Sequence, residues 1–392
     1  MGYFDELKNE CLKSLSWLLR DIEIIANRMK KSNNKKSILL LKRYVENAYN
    51  DISSLLSSTL IDWQTLVYTI YQEERYEKFL SNLTCRFGPV GMNLDGYYEM
   101  LSSLCSEIIV CAGFTDVENY PFTVICGGDP YTTTVGVNQI CLKMTDINRP
   151  WNWGIVAHEL GHDIINVYYS RISRSNNRQR RRIKIRKSNP DPREVADRWI
   201  SEIMCDIFGT LVAGPCLLSA HMMIPRIWCL MPVEEISLIE FFSSHPPDEI
   251  RFQIMNEILE IMSLKSIVDI SEIINLPNSM DLENSVSEER ELFQKRVKDV
   301  ESITPSLLGW ALEHLPNIKS RIPRIFTLDD WKKSCEIGKY LKGEANSFPE
   351  NFRVIEIING LVLAKRSAQT IEEEKIMAKK AIYLFERAKQ RC

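Results

Sequence analysis

His158-Glu159-Leu160-Gly161-His162 puts two imidazoles and a carboxylate within five residues. On a helix, residues four apart share a face, so His158 and His162 can aim their rings at one ion. Glu159 lies one step round, where its carboxylate reaches a water beside the ion rather than the ion. Two nitrogen ligands and a general base are what metal-assisted hydrolysis needs. The competing reading is a chance match on a core helix. With five histidines in 392 residues, composition alone makes this pattern in roughly one chain in a few hundred.

A catalytic zinc takes a third protein ligand and leaves the fourth position for water. The run Trp199 to Phe208 offers one on a second helix, where Glu202 and Asp206 are again four apart while Ile203, Ile207 and Leu211 occupy another face. Carboxylates inside so apolar a helix are costly to bury unless paired or coordinated. Glu202 is therefore expected as the third ligand. Asp206 is expected to accept the free ring N–H of a ligand histidine, His158. The plainer reading, an acidic first turn favoured by the helix dipole, does not suit Asp206, which lies too deep in the helix.

A third element follows at Ser243-Ser244-His245-Pro246-Pro247-Asp248-Glu249-Ile250-Arg251. Proline after His245 biases that residue to extended backbone, so it falls on a loop edge. Arg251 then starts the next helix. A loop histidine and a nearby arginine suit stabilisation of a developing oxyanion, although a surface His-Pro turn alone is commonplace.

In this order, His-Glu-Leu-Gly-His, Glu-Ile-Met-Cys-Asp, then His-Pro-Pro ending in Arg251, the residues resemble the gluzincin peptidases. The pattern is most similar to the family of the HtpX heat-shock protease and the CAAX-processing endopeptidases. The resemblance implies His158, His162 and Glu202 as zinc ligands, Glu159 as the base and Asp206 as the partner behind a ligand. It also implies that His245 and Arg251 help hold substrate or transition state. Cys205 stands where that family usually has alanine, a small-for-small exchange. The resemblance spans about residues 95–255 and departs in one respect. Those peptidases are embedded in membranes, whereas this sequence shows no spanning segment, so a soluble, minimal gluzincin domain is the better comparison.

The wider sequence fits an intracellular, cytoplasmic chain. A net charge of −3 gives no general attraction to nucleic acid or membrane. The first residues carry early acids and no apolar h-region, which excludes a secretory signal. The most apolar window, Leu211 to Met231, is broken by Gly214, Pro215, His221, Pro225 and Arg226 and reads as buried helix and turn. Eleven cysteines without Cys-x-x-Cys spacing read as reduced core thiols. His221 and His314 read as structural histidines outside the site, and Trp310 and Trp331 as core.

Positioning these groups requires an α+β, mostly helical fold: a minimal gluzincin domain with a small sheet, flanked by helical regions. The expected divisions are a helical region over 1–90, a zincin-like peptidase domain over 91–265 and a helical region over 266–392. Helical spacing predicts helices to about Ile25, over Lys36–Leu60 and over Trp63–Leu83. Next come a helix over Asp95–Phe114, strands around Phe122–Cys126 and Val135–Leu142, and the two metal helices. The strand over Val135–Leu142 ends just before the first metal helix and is expected as the cleft edge. There it could pair with an extended peptide, which makes peptides or proteins the expected substrate. Further helices are expected over Glu283–Ile303, Leu328–Leu341, Phe352–Ser367 and Thr370–Arg391, and the helical flanks are open to a regulatory protein.

Between the metal helices, Arg171 to Lys187 is rich in Arg and Lys and free of acids. It reads as a solvated insertion, a flap selecting acidic substrates, or a nucleic-acid contact. The last lacks the aromatic interleaving that single-strand binding uses. The expected function is a zinc metalloendopeptidase. The alternatives are a catalytically silent metal-binding sensor or scaffold, which has no need of Glu159, and a nucleic-acid-associated protein working through the insertion.

Overall fold

The structure, a computed structural model, describes residues 3–28, 35–56, 97–114, 123–126, 132–134, 139–142, 146, 149–175, 192–223, 245–264 and 287–389. Their helices are α1 (Tyr3–Arg28), α2 (Lys35–Leu56), α3 (Tyr97–Cys111), α4 (Val156–Ser175), α5 (Pro192–Ala213), α6 (Pro215–Met223), α7 (Asp248–Ile261), α8 (Ser287–Lys319), α9 (Leu328–Lys342), α10 (Val354–Lys365) and α11 (Ile371–Lys389). A 3-10 helix, Pro150–Ile155, leads into α4. Helix accounts for 81% of what is described. The fold is therefore nearly all-helical, which corrects the expected α+β class with its small sheet layer.

The physical reason is length. The strands β1 (Thr123–Cys126), β2 (Thr132–Thr134) and β3 (Gln139–Leu142) have four, three and four residues, below the five or six usual for a strand. Such strands offer too little face to make a core layer, so helices supply it. The strands run in the order β1-β3-β2, with β1 parallel and β2 antiparallel to β3. Thr123 is in register with Gln139, and Thr134 pairs with the same residue from the other side. The expected cleft edge is thus corrected as well: Gln139–Leu142 is bonded on both sides and has no free backbone row for a peptide.

The metal helices form because their apolar residues recur on one face. Val156, Ala157, Leu160 and Ile164 are buried on the first, and Ile203, Ile207, Phe208 and Leu211 on the second. Each such large side chain contributes about 1.5–3 kcal/mol on burial. Gly161 sets how closely α4 and α5 approach. A Cβ there would stand 3.2 Å from the Cys205 Cα and 3.3 Å from the Phe208 ring, so any side chain would push apart the turns that carry the site. At the far end of α5, Gly214 takes φ +67°, and a Cβ on it would fall 2.6 Å from the Phe326 ring. That left-handed turn lets α6 fold back toward α4.

The flanking helices join the same apolar core, a cluster that extends from Trp17 to Phe385. Trp17 of α1 lies edge-on to Trp151, 6.0 Å between ring centres, and donates its indole N–H to Glu374 Oε2 of α11 at 2.8 Å. Asn359 of α10 accepts from the Cys216 N–H and donates to the Ala213 carbonyl, tying α10 to the α5–α6 turn. Helix α8 continues past the expected end at Ile303, through Pro305 and Pro316. A proline inside a helix costs about 3 kcal/mol. The buried stripe Leu307, Trp310, Ala311, Leu315 and Ile318 outweighs that cost. The expected helix Trp63–Leu83 lies outside the described residues, as does the Arg-rich insertion beyond Ser175.

Candidate metal centre

Four helices converge on one buried cluster of charge. Helix α4 brings His158, Glu159 and His162 in its first two turns, and α5 brings Glu202 and Asp206 from its middle. His221 arrives from the last turn of α6, and Arg251 from the first turn of α7. His245 sits just before α7, where Pro246 and Pro247 hold extended backbone, with Pro247 at φ −52°, ψ 138°.

Two overlapping groups of these side chains could hold a metal ion: His158, His162 and Glu202, and His158, Asp206 and His221. Within each, one donor atom per residue lies within 4.8 Å of the others. In the first group, Glu202 Oε2 is 3.1 Å from His158 Nε2 and Glu202 Oε1 is 3.6 Å from His162 Nε2. Ligand bonds near 2.0–2.2 Å in a tetrahedron give donor separations of about 3.3–3.6 Å, so the His162 spacing lies at the upper end of that range and the His158 spacing, through the other carboxylate oxygen, slightly below it. Two imidazole nitrogens and a carboxylate also make a mixed N/O donor set of the kind divalent transition metals take. The residues fit the ion.

In the second group an occupant is already in place. Arg251 Nη2 is 2.7 Å from Asp206 Oδ1, 3.0 Å from His221 Nε2 and 3.3 Å from His158 Nδ1. A guanidinium nitrogen stands where a cation would, which leaves the first group as the one that could hold an ion.

Asp206 is fully buried and accepts three hydrogen bonds. Its Oδ1 faces His158 Nδ1 at 2.9 Å and Arg251 Nη2, and its Oδ2 accepts from Arg251 Nε at 2.8 Å. Burial opposes its charge, but the charge and hydrogen bonds of Arg251 and the bond to His158 hold the carboxyl well below the usual range. With Asp206 on Nδ1, His158 must present Nε2 to Glu202, the orientation a ligand histidine needs. Burial lowers the His158 pKa, yet the Asp206 hydrogen bond and charge and the Glu202 bond raise it to about 9. Burial pushes Glu202 up, but the His158 bond and the nearby histidines bring it down to about 2. Burial and the charge on His158 lower His162 to about 4, so its ring is neutral at pH 7 and can ligate.

Glu159 is buried beside the cluster. Its charge bears on both the Cys205 thiol and the His245 ring. The His245 side chain is 54% exposed, and its Nε2 lies 3.6 Å from Glu202 Oε2. It is the open side of the centre. Arg251 is 5% exposed and engaged by Asp206, so it stands behind the ligand histidine rather than at the open side with His245.

Two participants carry no signal in the sequence pattern. Cys205 Sγ lies 3.3 Å from His162 Nδ1. Burial and then the charges of Glu202 and Asp206 keep this thiol protonated. The exchange for alanine therefore gives His162 a polar neighbour. His221 is the second, 5.1 Å centre to centre from the His158 ring and edge-on to it. A histidine in the apolar run Cys216-Leu217-Leu218-Ser219-Ala220 must find a partner on burial, but nothing in the run names it. His314 is structural, as expected, stacked on Trp310 at 4.3 Å and facing the Trp310 carbonyl at 2.8 Å.

No family model, curated protein or solved structure matches the chain. No described helix is long and apolar enough to cross a membrane.

Proposed function

We propose that the chain is a zinc-dependent endopeptidase of the gluzincin kind, acting on peptide or protein substrates. The observation that carries this reading is the meeting of His158, His162 and Glu202 at ligand spacing, with the Glu159 carboxylate buried beside them. A bound zinc would polarise the scissile carbonyl and make an adjacent water acidic near neutral pH. Glu159 takes the proton from the attacking water and passes it to the leaving amine. His245, on the open side, donates to the oxygen on which charge develops. Asp206 holds the His158 ring, and Arg251 holds Asp206. A reducing, cytoplasmic setting belongs to the same proposal, supported by the mostly buried thiols of Cys105, Cys111, Cys205, Cys216 and Cys335, which form no disulfide among the described residues.

Elemental analysis of the purified chain, combined with hydrolysis of a peptide library, tests the reading. About one zinc per chain is expected, falling to near none in His162→Ala and in Glu202→Ala. Full occupancy in both variants overturns the ligand assignment, and a wild-type chain that holds zinc and cuts no peptide overturns the activity. Cys205→Ala is expected to lower zinc affinity by about 10-fold, the small end for the loss of a group behind a ligand, because sulfur is a weak hydrogen-bond partner. Competition with a coloured chelator reads that loss, and an unchanged affinity removes the sulfur from the site.

A further inference from the structure

We propose that His221 is a positioning residue of the metal centre: its Nε2 accepts a hydrogen bond from Arg251 and keeps that guanidinium on Asp206 and off the ligand nitrogen of His158. The proposal rests on the reading of His158, His162 and Glu202 as ligands.

A guanidinium has five N–H donors and no acceptor. The 3.0 Å contact between Arg251 Nη2 and His221 Nε2 is therefore a bond in which the histidine nitrogen accepts, and the ring hydrogen sits on Nδ1. Arg251 Nη2 carries two hydrogens. One goes to Asp206 Oδ1 at 2.7 Å, and His221 is the nearest acceptor for the other. After His221, the nearest nitrogens are those of His158, Nδ1 at 3.3 Å and Nε2 at 3.5 Å. His158 Nδ1 already carries a hydrogen directed at Asp206 when the ring is a ligand, so only Nε2 could accept, and Nε2 is the atom the metal needs. Without His221, the spare Arg251 hydrogen and the metal compete for one lone pair. His221 is 4% exposed, so no solvent takes its place. Its helix is fixed from outside the site by the Asn359 bonds to Cys216 and Ala213, which gives the acceptor a rigid mount.

The test uses the full chain, zinc alone as the probe and two variants of similar bulk. His221→Leu removes the acceptor, and His221→Gln offers a carbonyl oxygen near the place of Nε2. Zinc affinity by chelator competition is expected to fall about 10–100-fold in His221→Leu and to return to within about threefold of wild type in His221→Gln. Urea unfolding of both metal-free variants separates this loss from general destabilisation, since rescue by glutamine at matched stability is not what a mere packing role gives. Wild-type affinity in His221→Leu overturns the proposal. So does an equal loss in both variants, and if His221→Leu fails to fold, a loss in His221→Gln alone decides against it. A wild-type chain that binds no zinc removes the ligand reading and this proposal together, whereas zinc held equally by wild type and His221→Leu removes only the role of His221.

Discussion

Glu159→Gln is expected to keep the fold and about one zinc per chain while hydrolysis drops about 10²–10⁴-fold, the usual contribution of a general base. The amide matches the carboxylate in size, so the buried space stays filled. It cannot take up a proton, so the attacking water stays neutral and the leaving amine departs without its proton. Glu159 is not one of the side chains grouped as donors, which is why metal content and turnover should part company. Parallel elemental analysis and peptide hydrolysis on one preparation read both quantities. Hydrolysis at the wild-type rate in the variant would show that the chain is no peptidase of this kind. Loss of zinc with loss of turnover would instead make Glu159 part of the ligand set.

Arg251→Met should cost about 3 kcal/mol of stability, because it strips a fully buried carboxylate of its main partner. Asp206 then retains only the His158 and His221 rings, and both of its oxygens lose a charged donor. The expected readout is a lower urea midpoint for the metal-free chain. Replacing Asp206 with leucine in the same protein should recover much of the loss, since removing both charges leaves nothing unpaired. Zinc binding should stay weak in that double variant, because His158 has lost the group that orients it. If Arg251→Met unfolds at the wild-type midpoint, the Asp206–Arg251 pair does not hold the site together. If it leaves stability intact and impairs only turnover, Arg251 reaches the substrate after all.

The placement of His158, His162, Glu202 and Asp206 was legible because helical spacing is a local rule. Residues four apart share a face whatever surrounds them, and two such pairs on apolar helices can be matched without knowing the packing. The roles of Arg251 and His221 were not legible. Spacing puts Arg251 six residues after His245 in the first turn of the next helix, as if both faced a cleft, but the approach of α7 to α5 buries the guanidinium on Asp206. His221 lies far along the chain from its partner Arg251, and a pairing between helices follows no local period.

The fold divides in the same way. The sequence by itself determined helices to about Ile25 and over Lys36–Leu60, Leu328–Leu341, Phe352–Ser367 and Thr370–Arg391, which the structure describes as Tyr3–Arg28, Lys35–Leu56, Leu328–Lys342, Val354–Lys365 and Ile371–Lys389, because their apolar residues repeat at 3.6 and local signals stop them, such as Gly343 at φ +82°. It also determined which side chains could meet a metal. Only the tertiary structure decided that short strands are incidental and that Gln139–Leu142 is the middle strand instead of the edge. Strand pairing depends on partners distant in sequence, and alternation does not reveal how many flank a strand. Tertiary packing likewise carried α8 through two prolines, since the burial of Trp310 and Leu315 is a property of the assembled core. Finally, it placed one nitrogen of Arg251 among the side chains of the second possible metal group, at distances of 2.7 to 3.3 Å that no spacing rule contains.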